Sequence, residues 1–308
     1  MKKFDAVIGV SVNPEMELVI ENTPGPKKVL KCMTCCLSGS SGNTATAIKC
    51  LGGCPHLLGL VSAYEKEDVA DVLLRSAVLK GKVPFTAIPI LSETNHAIIP
   101  VIGESNDEVW GKKGDIVHSE LPQALRILAG PEIGIGPQTF VVITGLRAVE
   151  ILFAKALLSQ AKVKKGFRVL NAKDTLCANK EFKKILPLVD LLVLNKREFE
   201  ETGMGFSQIH KCGPKIVVVT HDKEGGIFSF SNYRISFKPV SFSGGRFETG
   251  AGDWFLGAMI SELVRLRESV LTIQLKQFMG VINFAARVAG KKITMAGGGN
   301  GPSRHQLR

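Results

Sequence analysis

Short, uninterrupted apolar runs alternate with segments of helical periodicity along most of this 308-residue chain. The apolar runs occupy residues 6–12, 58–61, 139–144, 167–170, 191–194 and 216–220, and the helical patterns occupy residues 43–51, 68–80 and 149–161. A strand buried on both faces has a continuous apolar sequence, whereas a half-exposed strand alternates. The pattern therefore predicts an α/β fold, with a doubly wound, mostly parallel sheet and helices on both faces.

Two segments, residues 17–36 and 85–102, break this rhythm because polar residues and prolines interrupt their β-rich sequence. Such interruptions are typical of antiparallel strands with one solvent-exposed face. We expect these segments to form a small β-sheet lid within a single domain of residues 1–308. The glycine-rich residues 297–302 are expected to form a flexible end.

The composition indicates a globular protein, with 45% hydrophobic residues and a net charge of +11. The basic residues are spread along the chain, and aromatic residues make up only 6%, so platforms for stacking nucleic-acid bases are sparse. We therefore expect no nucleic-acid partner, and favour a solvated surface with a basic cleft for phosphates. No stretch of 18 apolar residues and no signal-peptide pattern occurs, so no membrane contact and a cytoplasmic location are expected.

Seven cysteines, an odd number in a chain of this length, argue against a disulfide framework. Cys32 and Cys35, followed by Cys50 and Cys54, loosely resemble paired zinc ligands. The second pair is spaced too widely for the commonest pattern, and Cys50 lies on the apolar face of a predicted helix. Buried reduced thiols are therefore the favoured interpretation.

The segment Gly250-Ala-Gly252-Asp253 precedes an amphipathic helical pattern. Glycines at a helix start let backbone N–H groups approach a ligand closely, and the helix dipole favours an anion such as a phosphate. Asp253, directly after these glycines, is a candidate functional residue. The alternative, an ordinary helix N-cap, fits the same residues equally well.

Asp253 and its glycines resemble the G-A-G-D signature of the ribokinase-like (PfkB) carbohydrate kinase family. Three further motifs occur in the family's order. Residues 38–45 resemble its N-terminal G-G-x-x-x-N-x-A segment, residues 195–198 its N-x-x-E motif, and residues 217–226 its V-T-x-G-x-x-G strand and turn. A P-loop sequence is absent, so a phosphate-binding loop of that type is excluded.

The resemblance implies an enzyme that transfers a phosphoryl group from ATP to a hydroxyl of a sugar or sugar phosphate. Asp253 would be the catalytic base, and the backbone amides of Gly250, Ala251 and Gly252 would form an anion hole for the transferred group.

The other matched positions carry binding roles in the family. The resemblance places substrate contacts at Gly39 and Asn43, nucleotide contacts at Asn195, Thr220 and Gly225, and a Mg²⁺ ion at Glu198 and Asn195. Taken alone, Asn195 and Glu198 favour a capped turn, and Thr220 and Gly225 favour an ordinary strand end and turn. The alternative for Asn43 is a turn or helix-cap asparagine.

Residues 10–17 resemble the T-x-N-P-x-x-D start of the 1-phosphofructokinase and tagatose-6-phosphate kinase branch. Glu17 would then bind substrate hydroxyls; a charged residue on a surface strand is the alternative. Lid sheets in this family often pair between subunits, so a homodimer through the lid is also implied.

Several positions depart from the family pattern, and Glu17, one methylene longer than the aspartate it replaces, is one of them. Ser38 and Asp222 replace glycines, Ser40 replaces the lysine of the phosphofructokinase branch, and Phe247 replaces an aspartate. The missing lysine weakens the case for a phosphorylated sugar. Together the departures motivate an alternative hypothesis, a degenerate member that binds a sugar or nucleotide without turnover.

Overall fold

A computed structural model describes residues 4–10, 13–21, 29–62, 69–90, 96–102, 110–112, 121–146, 151–230, 233–245, 247–266 and 272–307. The strands within these ranges are β1 (Ala6–Val10), β2 (Asn13–Glu21), β3 (Val29–Ser38), β4 (Pro55–Ser62), β5 (Phe85–Ile90), β6 (His96–Ile102), β7 (Trp110–Lys112), β8 (Phe140–Leu146), β9 (Phe167–Ala172), β10 (Leu191–Asn195), β11 (Ile216–Thr220), β12 (Gly226–Phe230) and β13 (Tyr233–Phe237).

The helices of the same ranges lie between and after these strands. They are α1 (Gly39–Cys50), α2 (Val69–Gly81), α3 (Leu121–Ala129), α4 (Ile151–Val163), α5 (Asp174–Cys177), α6 (Lys180–Ile185), α7 (Lys196–Glu201), α8 (Phe206–Cys212), α9 (Ala251–Leu266) and α10 (Leu275–Lys292). Among them, no helix is both long and apolar enough to cross a membrane.

Nine strands form the main sheet in the order β13-β12-β11-β10-β9-β8-β1-β4-β5. Neighbouring strands from β11 to β5 pair in parallel, and β12 and β13 add an antiparallel edge. The chain adds strands in one direction from β1 to β5 and in the other from β8 onward, so the switch point lies between β1 and β8. The predicted doubly wound fold is confirmed.

Helices cover both faces of the main sheet, which explains its uninterrupted apolar strands. Ile8 of β1 packs in the core with α1, α9 and α10, whereas the adjacent Val7 packs in the core with α3, α4 and α6. Both side chains have no solvent exposure. Since neighbouring residues of a strand point to opposite faces, the positions on both sides of such a strand are mostly apolar.

A second sheet has the strand order β3-β2-β6-β7. Its β2–β3 pair is antiparallel as predicted, but β2 and β6 pair in parallel. The prediction that residues 85–102 belong wholly to this sheet is wrong, because β5 pairs with β4 in the main sheet. Pro89 is tolerated there because β5 is an edge strand. Residues 22–28 and 91–95 of the predicted lid lie outside the described residues.

The glycine-rich residues 297–302 pack against α9, so the prediction of a flexible end is wrong. The carbonyl of Gly298 accepts a hydrogen bond of 3.0 Å from Nε1 of Trp254, which is fully buried. A Cβ atom on Gly301 would lie 2.5 Å from the indole ring. The missing side chains, which suggested flexibility, are what allow this backbone to contact the ring.

The cysteines are only partly as expected. Cys177 is buried, but the free thiols of Cys50 and Cys54 are exposed, which contradicts their predicted burial. Cys50 is the last residue of α1 and lies beyond the buried positions of that helix, which end at Ile48. Over the part of the chain that the structure describes, no three His, Cys, Asp or Glu side chains are grouped as a metal site would require.

Helices α1 and α9 approach each other closely at Gly257. A Cβ atom at this position would lie 2.6 Å from Cβ of Ala47 and 2.8 Å from the carbonyl oxygen of Thr44. The contact sets the distance between the two helices.

Gly257→Ala is expected to destabilise the protein by roughly 1–3 kcal/mol, because the added methyl group overpacks the α1–α9 contact. Gly280→Ala is the matched control, since nothing lies within 4 Å of a Cβ at this exposed position of α10. There alanine should raise stability by about 0.5–1 kcal/mol through its higher helix propensity. Chemical denaturation measures both, and equal effects of the two substitutions would contradict the proposed close contact.

Candidate active site

Asp253 lies in the first turn of α9, and the preceding backbone is built around Gly250. Gly250 has φ +81°, and a Cβ atom there would lie 2.8 Å from the carbonyl oxygen of Gly298. Both the left-handed conformation and the close contact favour glycine at this position. The turn that follows is closed by a 3.1 Å hydrogen bond from the amide of Ala251 to the carbonyl of Glu248.

Two of the three predicted anion-hole residues, Ala251 and Gly252, differ in their surroundings. The amide of Ala251 is engaged in the turn, whereas Gly252 is exposed. The amides of Gly252 and Asp253 belong to the first turn of α9, where N–H groups have no intrahelical acceptor. With the positive end of the helix dipole, they can stabilise an anion placed before the helix.

The carboxylate of Asp253 is held by α1. Its Oδ2 accepts a hydrogen bond of 2.9 Å from Nδ2 of Asn43, which lies 210 positions earlier in the chain. The hydroxyl of Thr44 donates to the backbone carbonyl of Asp253 at 3.3 Å. The structure thus brings together Asp253 and Asn43, two residues that were predicted from separate motifs.

The start of α1 lies over the switch point of the main sheet. Gly39, a predicted substrate contact, opens the helix with φ +73°, directly after β3 ends. The hydroxyl of Ser41 is 2.8 Å from the carbonyl oxygen of Gly9 in β1 and 3.4 Å from that of Thr144 in β8. Open α/β sheets bind their ligands at this place, outside the carboxyl ends of the strands.

A cavity of about 230 Å³ borders the first turn of α9. Its apolar wall comes from β13, the segment after it and helices α9 and α10, and consists of Phe237, Pro239, Val240, Phe255, Ala286, Ala289 and Ile293. Its remaining lining is polar or backbone, and consists of Thr220, Asp222, Lys223, Gly225, Ser241, Glu248, Ala251, Gly252 and Gly290. Such a cavity can hold a flat apolar group beside a polar or anionic one.

Two predicted nucleotide contacts, Thr220 and Gly225, line this cavity. Gly225 has φ +88°, and a Cβ atom there would lie 2.1 Å from the carbonyl oxygen of Phe237. The path of the backbone therefore requires glycine at position 225, whether or not a ligand is bound. Asn195, the third predicted contact, ends the neighbouring strand and pairs in register with Thr220.

Asp222 occupies a position that has glycine in the family pattern. It has φ +45°, in the left-handed region that glycine and aspartate tolerate best. It lines the cavity next to Lys223, whose Nζ lies 3.0 Å from Oε1 of Glu248. The backbone conformation explains why the family has glycine here, and the replacement brings an acid to the cavity wall.

Asn195 and Glu198 form a reciprocal cap at the start of α7. The amide of Glu198 donates to Oδ1 of Asn195 at 2.8 Å, and the amide of Asn195 donates to Oε2 of Glu198 at 2.8 Å. The interpretation as a capped turn is thus realised in the structure. Oε1 of Glu198, a buried residue, lies 3.9 Å from Nζ of Lys173.

Oxygen donors of this kind suit Mg²⁺, which prefers one or two carboxylates and keeps several waters. Because the cap engages Oε2 of Glu198 and Oδ1 of Asn195, the two residues fit an ion held through water better than one held directly.

Two further positions from the sequence analysis are Glu17 and Phe247. Glu17 lies in β2, paired with Thr34 and Ile99, but its side chain is outside the described part of the structure. Phe247, which replaces the family's aspartate, donates its backbone amide to the carbonyl of Ile293 at 2.9 Å.

Sequence reasoning missed two residues that shape the site, Trp254 and Thr44. Trp254 anchors the glycine-rich tail, and Thr44 ties α1 to the backbone of Asp253. Both lie next to motif residues, which is the only signal the sequence offers for them.

The sequence matches the model of the pfkB family of carbohydrate kinases over residues 132–304, which is more than half of the chain. No curated protein matches the sequence. The chain belongs to the pfkB family, and is accordingly a carbohydrate kinase that uses ATP as co-substrate.

Solved structures with this fold include ribokinases and a phosphofructokinase. The ribokinase of Giardia lamblia is 20% identical with a TM-score of 0.75, and the match covers 99% of this chain and 98% of that one. Phosphofructokinase-2 of Escherichia coli, solved with potassium, is 16% identical with a TM-score of 0.75 and coverages of 100% and 97%. The ribokinase of Arabidopsis thaliana, solved with ribose and ATP, is 18% identical with a TM-score of 0.70 and coverages of 99% and 98%.

Glu198→Ala is expected to lower the free energy of unfolding by about 1–2 kcal/mol, because it removes half of the reciprocal cap of α7. Glu198→Gln keeps an acceptor for the amide of Asn195 and should cost clearly less. Glu200→Ala, on the exposed side of the same helix, should stay within about 0.5 kcal/mol of the wild type. Urea denaturation of the three variants checks this, and equal losses for Ala and Gln at position 198 would refute a capping role.

Proposed function

We propose that this protein transfers the γ-phosphoryl group of ATP to a hydroxyl of a sugar or sugar phosphate, with Asp253 as the catalytic base. One observation carries the proposal. The first turn of α9 has the cavity on one side, where Ala251 and Gly252 line it, and α1 on the other, where Asn43 holds the Asp253 carboxylate. A nucleotide and an acceptor on these two sides would meet at the helix start.

The carboxylate of Asp253 is suited to accept the proton of the attacking hydroxyl. It is partly exposed, and Asn43 fixes its direction through Oδ2. A positioned general base must lie within hydrogen-bond reach of the proton that it removes. Negative charge on the transferred group would be stabilised by the amides of Gly252 and Asp253 and by the dipole of α9, while Gly250 shapes the turn.

The cavity is the proposed nucleotide site. Ala286, Ala289 and Ile293 of its apolar wall leave room for a flat base. Thr220 and Gly225 line its polar side, and Ala251 and Gly252 at the start of α9 line the same cavity. The Arabidopsis ribokinase, whose fold is shared, was solved with ATP, which supports a nucleotide in this fold.

We propose that Mg²⁺ accompanies the nucleotide and is held through water by Glu198 and Asn195. The ion supplies positive charge that neutralises the phosphate oxygens. Glu198 and Asn195 would orient these waters, because the cap keeps both side chains fixed.

The second sheet is proposed to act as a lid over the acceptor. Its strand β3 runs directly into α1 at Ser38 and Gly39, so the sheet is connected to the site without an intervening loop. Excluding water at this place favours transfer to the acceptor over hydrolysis.

The alternative, a member that binds without turnover, is favoured by one observation. The carboxylate of Asp222 belongs to a residue of the cavity wall, where it would repel nucleotide phosphates. Release of ADP from ATP, measured by a coupled assay with a panel of sugars, sugar phosphates and nucleosides, distinguishes the two. ATP binding seen by calorimetry, with no ADP formed in the presence of any acceptor of the panel, would establish the alternative.

Asp253→Asn is expected to lower kcat by about 10²–10⁴-fold, the usual contribution of a general base, with little change in stability. Asp5→Asn is the control, since Asp5 precedes β1 at the opposite edge of the sheet and caps the amide of Cys54. Steady-state kinetics with the best acceptor measure both variants. Turnover by Asp253→Asn within a few fold of the wild type would remove Asp253 from its proposed role.

Ala289→Phe is expected to raise the KM for ATP about tenfold or more, because the ring fills part of the cavity. The KM for the acceptor should stay unchanged. Asn283→Phe places the same ring on the exposed side of α10 and should leave both constants as they are. If the two variants gave the same KM for ATP, the nucleotide would have to bind elsewhere.

A further inference from the structure

Ser38, one of the departures from the family pattern, has its side chain in an unusual role. It is the N-cap residue of α1, with φ −145° and ψ −157°, yet its side chain makes no capping hydrogen bond. Serine at this position ordinarily accepts a hydrogen bond from an amide in the first turn. Here the hydroxyl instead donates to Oδ1 of Asn43 at 3.1 Å.

Ser38 and Asn43 thereby form a buried hydrogen-bond chain that ends at Asp253. Ser38 is 2% exposed and Asn43 is 3% exposed. A carboxylate can only accept, so Nδ2 of Asn43 must face Asp253, and Oδ1 must face the opposite way. The hydroxyl of Ser38 satisfies this buried oxygen, for which the described residues offer no other donor, and a buried acceptor left unsatisfied is costly.

We propose that Ser38 is a positioning residue for the phosphoryl transfer, acting through Asn43 on the Asp253 carboxylate. The proposal rests on the proposed function of Asp253. By holding the amide of Asn43 in one orientation, Ser38 keeps Oδ2 of Asp253 occupied. Oδ1 makes no hydrogen bond to any residue that the structure describes, and is left to accept the proton of the acceptor.

A glycine at position 38, as in the family pattern, could not make this contact. The departure is therefore an additional support for the base rather than a sign of lost activity. Because Ser38 is also the last residue of β3, the support is located where the second sheet joins α1.

Ser38→Ala tests the proposal with Ser261→Ala as the matched control. Ser261 is 3% exposed and donates to the carbonyl of Leu51. It lies about two turns along α9 from Asp253. Both changes remove one buried hydroxyl. Ser38→Ala should lower kcat about tenfold with the KM for ATP unchanged, the effect of one lost hydrogen bond in the transition state.

Ser38→Thr keeps the hydroxyl and should restore most of the lost kcat, since the extended backbone at position 38 accepts a β-branched residue. Ser261→Ala should change kcat less than about twofold. If the wild type is active and Ser38→Ala and Ser261→Ala have equal kcat values, the proposal is overturned, while the function of Asp253 remains intact.

A second readout does not require activity. The side-chain amide signal of Asn43 in ¹⁵N-labelled protein can be assigned by its loss in Asn43→Asp. Its hydrogen exchange should be about tenfold faster in Ser38→Ala than in the wild type or in Ser261→Ala. If no acceptor is phosphorylated, the proposed function fails, and the exchange rate then decides only whether Ser38 holds the side chain of Asn43. An unchanged exchange rate would refute that support and, with it, the positioning role.

Discussion

The hydrogen bond between Asn43 and Asp253 is the contact on which the site depends, because it joins α1 and α9, which carry two of the family's four motifs. It forms only if α1 and α9 lie close together. Gly257 allows that approach, and Gly250 directs the chain into α9 so that the carboxylate points toward α1. If Asp253 is the base, as proposed, a displacement of about 1 Å in either helix would separate it from the acceptor by enough to slow the reaction strongly.

The main sheet provides the rigid base for this contact. Its switch point lies between β1 and β8, and the hydroxyl of Ser41 lies near a carbonyl oxygen of each strand. The same carboxyl edge carries Asn195 and Thr220, side by side in register. A rigid parallel sheet thus brings the residues proposed for the nucleotide and for the acceptor to one edge, although they come from distant parts of the sequence.

The departures from the family pattern have different physical meanings once the geometry is known. Asp222 has the left-handed backbone conformation for which the family pattern has glycine, and it adds an acidic residue to the cavity wall. Ser38 gains a hydrogen bond that glycine cannot make. Phe247 donates a hydrogen bond from its backbone amide to the carbonyl of Ile293. Replacement of a motif residue is therefore not by itself a measure of lost function.

The sequence by itself determined the sheet class, most strand positions and the order of the motifs. Periodicity reports how much of each strand is buried, and the turn residues mark where it ends. The tertiary structure alone decided which strands pair, so β5 joined the main sheet and β6 paired in parallel with β2. It also decided that the glycine-rich tail packs on Trp254 and that Ser38 supports Asn43. Burial is encoded locally, whereas the partner of a hydrogen bond across 210 positions depends on the packing of the whole chain.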